Sequence, residues 1–169
     1  MLSILKIIIL GLILILCTYI GILKAKSYDN RVLELKKIKS ALEVLKSKIE
    51  FTYEPIKDIF EEISKIVYSE KQNIFQETLK NMNNHNVTDS WNKAIEEEAR
   101  LVEEDKNTIK LFGKLLGKTD KAGQINEINV TSKLLDSLIE KAEQEKSKNY
   151  KLFKTLGTVV GIGICIILI

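Results

Sequence analysis

The stretch that decides the fold is Ile7-Ile-Ile-Leu-Gly-Leu-Ile-Leu-Ile-Leu-Cys-Thr-Tyr-Ile-Gly-Ile-Leu23, an uncharged run of 17 residues held between Lys6 and Lys24. A helix of about 20 apolar residues at about 1.5 Å each crosses about 30 Å of hydrocarbon. With Lys6 and Lys24 snorkelling their charges to the interface, this run is long enough to span. Its counterpart lies at the other end, where nothing charged follows Lys154 through the 15 residues to Ile169. Counting Leu152 and Phe153, that segment also reaches spanning length when the bilayer thins slightly.

A cleavable signal peptide is the rival reading of the first run. It lacks a cleavage site: Lys24, Ala25 and Lys26 follow Leu23 without a small-x-small pair, and Leu16 is too bulky ahead of Cys17 for a lipoprotein box. Two membrane helices are therefore expected. Lysine and arginine near the spans set their orientation. Lys6 alone stands outside the first span, against Lys24, Lys26, Arg31, Lys36, Lys37 and Lys39 on the inner side; Lys146, Lys148, Lys151 and Lys154 precede the second span. The segment between the spans is thus predicted to be cytoplasmic.

The hydrophobic share of 45% is concentrated at the two ends, leaving an ordinary water-soluble middle. There the apolar positions Val32, Leu35, Ile38, Leu42, Leu45 and Ile49 step by three and four, which keeps them on one helix face. Pro55 suits the first turn of the next helix, whose stripe is Ile56, Ile59, Phe60, Ile63 and Val67. A shorter helix carries Ile74, Phe75, Leu79 and Met82 and ends in the loop Asn83 to Asn86. Thr88, Asp89 or Ser90 is expected to cap a fourth helix with Trp91, Ile95, Ala99 and Val102 inward. Ile109, Phe112, Leu115 and Leu116 follow, with Gly117 as a helix stop, and Asp120 as the cap of a last helix carrying Ile125, Ile128, Leu135, Leu138 and Ala142. Only Ile128, Val130 and their neighbours offer a weak strand pattern. The fold class is all-α: a cytoplasmic bundle of about five to six helices over 27–151, flanked by an N-terminal membrane helix with its basic flank over 1–26 and a C-terminal one over 152–169.

Candidate chemistry is sparse. Gly113-Lys-Leu-Leu-Gly117-Lys118-Thr119 mimics a phosphate-binding loop, but three residues separate its glycines where four are required, and a helix precedes it where a strand is needed. His85 has no second histidine or cysteine with which to hold a metal. The carboxylates Glu61-Glu62, Glu96 to Glu98 and Glu103 to Asp105 read as solvated faces. Cys17 and Cys165 lie within the apolar ends and behave as small hydrophobes. A net charge of +3 spread along the chain gives no nucleic-acid footprint. No enzyme, cofactor or metal is expected.

Three features stand out. Gly157, Gly161 and Cys165 recur every four residues and would let another helix approach the last span closely. Trp91 is either a core anchor or a partner contact. Asp120 and Gln124, following Gly113 and Gly117, either cap a helix or dock a partner.

The two spans, Arg31-x-x-Glu34-Leu35, Ala41-Leu42, Glu50-x-x-Tyr53-x-Pro55, Trp91, Leu116-Gly117-x-x-Asp120-x-x-x-Gln124 and the Asn149 to Gly157 approach together resemble the stage III sporulation protein AB family over nearly the full length. That resemblance implies a scaffold subunit of the channel joining mother cell to forespore, in the mother-cell membrane around the forespore. It further implies a bundle like the cytoplasmic domain of the F-type platform protein of type II secretion and type IV pilus machines. The partners implied are a secretion-type ATPase of the same operon, other channel membrane subunits and the lipid bilayer, with room for self-association. A membrane-bound sensor whose bundle binds a ligand is the alternative from a different class.

Overall fold

The computed structural model describes residues 2–52, 54–68, 70, 72–116 and 120–168. Among them the chain is all-α, with six helices: α1 (Leu2–Phe51), α2 (Ile56–Ile66), α3 (Ile74–Asn81), α4 (Val87–Glu97), α5 (Glu103–Leu115) and α6 (Lys121–Leu168). Two of them are very long, at 50 and 48 residues. Each joins an apolar stretch to a bundle helix without interruption. Neither Pro nor Gly occurs between Ile22 and Glu54 to break α1, and none occurs between Gln124 and Leu156 in α6. The weak strand pattern around Ile128 and Val130 lies inside α6, where Ile128 is buried at helical spacing with Thr131, Ser132 and Leu135.

The chain divides into two compact units. One comprises residues 1–32 with 141–169, the other residues 33–140. In the first, the most apolar windows of α1 and α6 have mean hydropathies of 2.6 and 1.8, and only 6% of either window is buried. A soluble core helix of that composition would be covered by protein. Here Ile7, Ile15, Ile20 and Ile167 are all more than 60% exposed, a surface that hydrocarbon accommodates and water does not.

The second unit buries the expected stripe of α1, with Leu35, Ile38, Leu42 and Leu45 fully enclosed. Ile59, Phe60 and Ile63 of α2, Ile74 and Phe75 of α3, Trp91 and Ile95 of α4, and Ile109 and Phe112 of α5 meet in the same core. Pro55 occupies the N-cap position of α2 with φ −58°, and its carbonyl accepts from the N–H groups of Asp58 and Ile59.

Two expectations are corrected. The cap of α4 is Asn86, whose side-chain oxygen accepts from the Asp89 N–H at 2.9 Å, so the asparagine loop itself supplies the cap in place of Thr88, Asp89 or Ser90. And α4 ends at Glu97, so Ala99 and Val102 are exposed instead of inward. The chain turns there because Glu98 is extended (ψ 106°) and its carboxylate holds both the backbone N–H and the guanidinium of Arg100. Val102 becomes the N-cap residue of α5, its N–H donating to Asp105.

Candidate functional site

The small residues of α6 face α1, with which it runs antiparallel inside the first unit. A Cβ added to Gly157 would stand 2.7 Å from the Cys17 carbonyl oxygen and 2.9 Å from Gly21 Cα. Added to Gly21, it would stand 2.7 Å from the Phe153 carbonyl oxygen and 2.9 Å from Gly157 Cα. Gly161 packs against Leu14 and Cys17, and the Cys165 thiol donates to the Leu10 carbonyl at 3.4 Å. The two backbones thus approach as closely as glycine permits. Gly21 is the partner that the sequence reading missed. Its signal was present: Cys17 and Gly21 repeat the four-residue spacing of Gly157 and Gly161.

Beyond the apolar stretch the same pair is closed by polar contacts. Tyr28 stacks on Phe153 with centroids 5.8 Å apart, Lys146 pairs with Asp29 at 2.5 Å, and the nearly buried Arg31 pairs with Glu145 at 2.7 Å.

In the second unit Trp91 is fully buried in a ring of aromatics, 5.9 Å from Phe60, 5.5 Å from Phe75 and 5.5 Å from Phe112, centroid to centroid. Its indole N–H donates to the Ile109 carbonyl at 3.1 Å. Gly113 lies one turn further along α5, and a Cβ there would come within 3.1 Å of Trp91 Cγ and closer still to Cδ1. The structure therefore brings Trp91 and Gly113 together as a core contact. Asp120 caps α6, with its carboxylate accepting from the Gly123 N–H at 2.9 Å and its carbonyl from the Gln124 N–H at 3.0 Å. Gln124 is half-buried in the first turn. Gly117 lies outside the described residues, as do Lys118 and Thr119 of the loop-like motif, while Gly113 sits within α5.

A polar cluster that the sequence reading did not single out centres on Glu34, 1% exposed on the inward face of α1. Arg100 places Nη1 2.9 Å from its Oε2, and Tyr68 donates to its Oε1 at 3.2 Å. Lys37, one turn on, pairs with Glu70 at 2.8 Å and lies 5.4 Å over the Tyr68 ring. One residue of α1 thus ties down both the α2–α3 and the α4–α5 connections. Burial pushes the Glu34 carboxyl up to about 7, against the pull of Arg100. Burial and the neighbouring Glu34 carboxylate likewise raise the Tyr68 hydroxyl. Glu98 is raised by burial, but the Arg100 fork more than offsets this and leaves it below the usual carboxylate range. Beside the cluster, an open groove of about 970 Å³ runs over Ile74 and Ala94 between Glu70, Glu77 and Glu97. In the sequence Glu34 shows only as part of the Arg31-x-x-Glu34-Leu35 stretch and as a glutamate at an inward position of an otherwise apolar stripe, with nothing to point to Tyr68 or Arg100.

Among the described residues no group of three or more His, Cys, Asp or Glu side chains could hold a metal ion. Glu61 and Glu96 are exposed and pair with Lys65 and Lys110. Comparison with known proteins gives a consistent picture. The family model described as stage III sporulation protein AB matches residues 6–169. The stage III sporulation protein AB of Bacillus subtilis (strain 168) is 23% identical over 161 residues, covering 92% of this chain and 94% of that protein. A solved structure of a stage III sporulation protein AB shares the fold, with a TM-score of 0.62 at 18% identity over 70% of this chain and 98% of the other.

Proposed function

Because this chain belongs to the stage III sporulation protein AB family, we propose that it is a platform subunit of the mother cell–forespore channel whose bundle docks a cytoplasmic secretion-type ATPase. It is a two-pass, membrane-associated sporulation protein and not an enzyme. In this reading residues 1–26 and 152–169 anchor it in the mother-cell membrane around the forespore, and 27–151 face the cytoplasm, as the lysine and arginine distribution favours. Other channel membrane subunits meet the lipid-exposed faces of the spans.

The observation that carries this reading is the continuity of α1 and α6, each of which is both membrane segment and bundle element. Neither helix is interrupted by a loop along its range. Trp91 and Gly113 act in it by holding the core, while the segment from Gly117 to Gln124, with Asp120, is the contact for the ATPase. A photoreactive residue at position 124 in sporulating cells tests this. Capture of a secretion-type ATPase is expected; failure to capture it from 120 or 124, together with normal sporulation of the deletion strain, would overturn the proposal.

A further inference from the structure

The glycine contact leaves a dent on the outside of the helix pair. Cys17, Ile20 and Gly21 of α1 and Leu156, Gly157 and Val160 of α6 line an almost wholly apolar groove of about 460 Å³. At one end it is bounded by Phe153 and Lys24. From Cys17 to Lys24 is seven residues, about 10 Å of helix. Lys24 is the first charge after the uncharged run, so it stands at the depth of the lipid phosphates, and the concavity begins directly beneath it, within the hydrocarbon. Its Nζ lies 5.7 Å over the ring of Tyr28, one turn further along α1 from the groove.

Neither glycine can fill the space with a side chain of its own, because a Cβ at either would strike the opposite backbone. A dent within the bilayer is filled by a lipid chain or by another helix. The charge decides between them: an apolar slot ending in one exposed cation at headgroup depth complements a single molecule with an acyl chain below and an anionic phosphate above. We infer that this groove is a binding site for an anionic phospholipid, with an acyl chain lying between Ile20 and Val160 and the phosphate on Lys24. The inference rests on the membrane placement of the two helices and is independent of ATPase docking.

The test uses the full chain in nanodiscs of equimolar phosphatidylglycerol and phosphatidylcholine, with retained lipids counted by native mass spectrometry on release. The wild-type chain is expected to retain phosphatidylglycerol several-fold over phosphatidylcholine. Lys24→Gln abolishes that preference, whereas Lys26→Gln, a neighbouring cation outside the groove, preserves it. Val160→Trp fills the slot and lowers retention of both lipids several-fold, while Ile8→Trp, also lipid-exposed, does not. Both tryptophans replace exposed side chains, so the helix pair is left intact. Retention in the bulk ratio, equal effects of the two lysine substitutions, or crosslinking from position 160 to a protein helix instead of lipid would each overturn the inference.

Discussion

Gly21 and Gly157 face each other so closely that a Cβ on either would lie 2.9 Å from the other's Cα. In hydrocarbon no hydrophobic effect drives helices together, so this close backbone approach, with its van der Waals contact, holds the pair. Replacing Gly157 by Leu should push the helices apart. The native Cys165 provides the reporter, since its thiol already lies against the Leu10 carbonyl. With Leu10→Cys, a short bis-maleimide, which alkylates one thiol at each end, should link positions 10 and 165 efficiently within one chain in membranes. Adding Gly157→Leu should reduce that yield several-fold; an unchanged yield would mean that the glycines do not set the spacing.

A second glycine is predicted to be equally intolerant. Gly113→Ala places a methyl group against the Trp91 indole inside a packed aromatic ring, and overpacking of this kind costs about 1–3 kcal/mol. Thermal unfolding in detergent should register the loss. Trp91→Ala removes all the ring atoms the methyl would strike, Cγ, Cδ1 and Nε1, so the double variant should be less destabilised than the two single effects added together.

Glu34 gives the bundle a pH dependence of defined sign. Its folded pKa of about 7 lies above the ordinary 4.5, so between those values the folded state holds a proton that the unfolded state has released. Stability therefore falls as pH rises from about 4.5 to about 7 and is flat above, by roughly 3 kcal/mol at most. Glu98 and Glu70, whose pKa values are lowered, contribute stability that is lost only on acidification below that window. Glu34→Gln keeps an acceptor for Tyr68 and should erase the slope between pH 5 and 7 in urea titrations. Persistence of the slope would assign it to another group.

Arg100 should matter most when Glu34 is charged. Arg100→Met leaves two largely buried carboxylates, Glu34 and Glu98, without their counter-charge, and breaking a buried pair from one side costs about 3 kcal/mol or more. The loss should be larger at pH 8 than at pH 5, where Glu34 is protonated. Glu34→Gln in the Arg100→Met background should recover part of it.

The parts of this architecture that the sequence shows are those written in apolar periodicity. The two uncharged ends, the α1 stripe from Val32 to Leu45 and the Ile59, Phe60, Ile63 face emerge at the expected positions because one buried face at a step of three or four residues leaves little choice. What periodicity cannot show is where a regular pattern stops for a polar reason. Ala99 and Val102 continue the spacing of Trp91 and Ile95, yet the chain turns at Glu98 because its carboxylate captures Arg100. The Glu34 cluster escaped for the same reason, since its partners Tyr68 and Arg100 lie 34 and 66 residues away, in separate connections. Gly157 and Gly161 were visible as a repeat, but only the folded pair shows that their partner is Gly21 of the same chain.

The most direct test of the account is where the bundle lies. In a chain with Cys17→Ala, Cys165→Ala and His85→Cys, the only thiol sits in the exposed loop between α3 and α4. Protoplasts treated with a membrane-impermeant maleimide should leave it unmodified, and permeabilisation should make it react fully. Modification in intact protoplasts would put the bundle on the outer side of the membrane and contradict the platform reading.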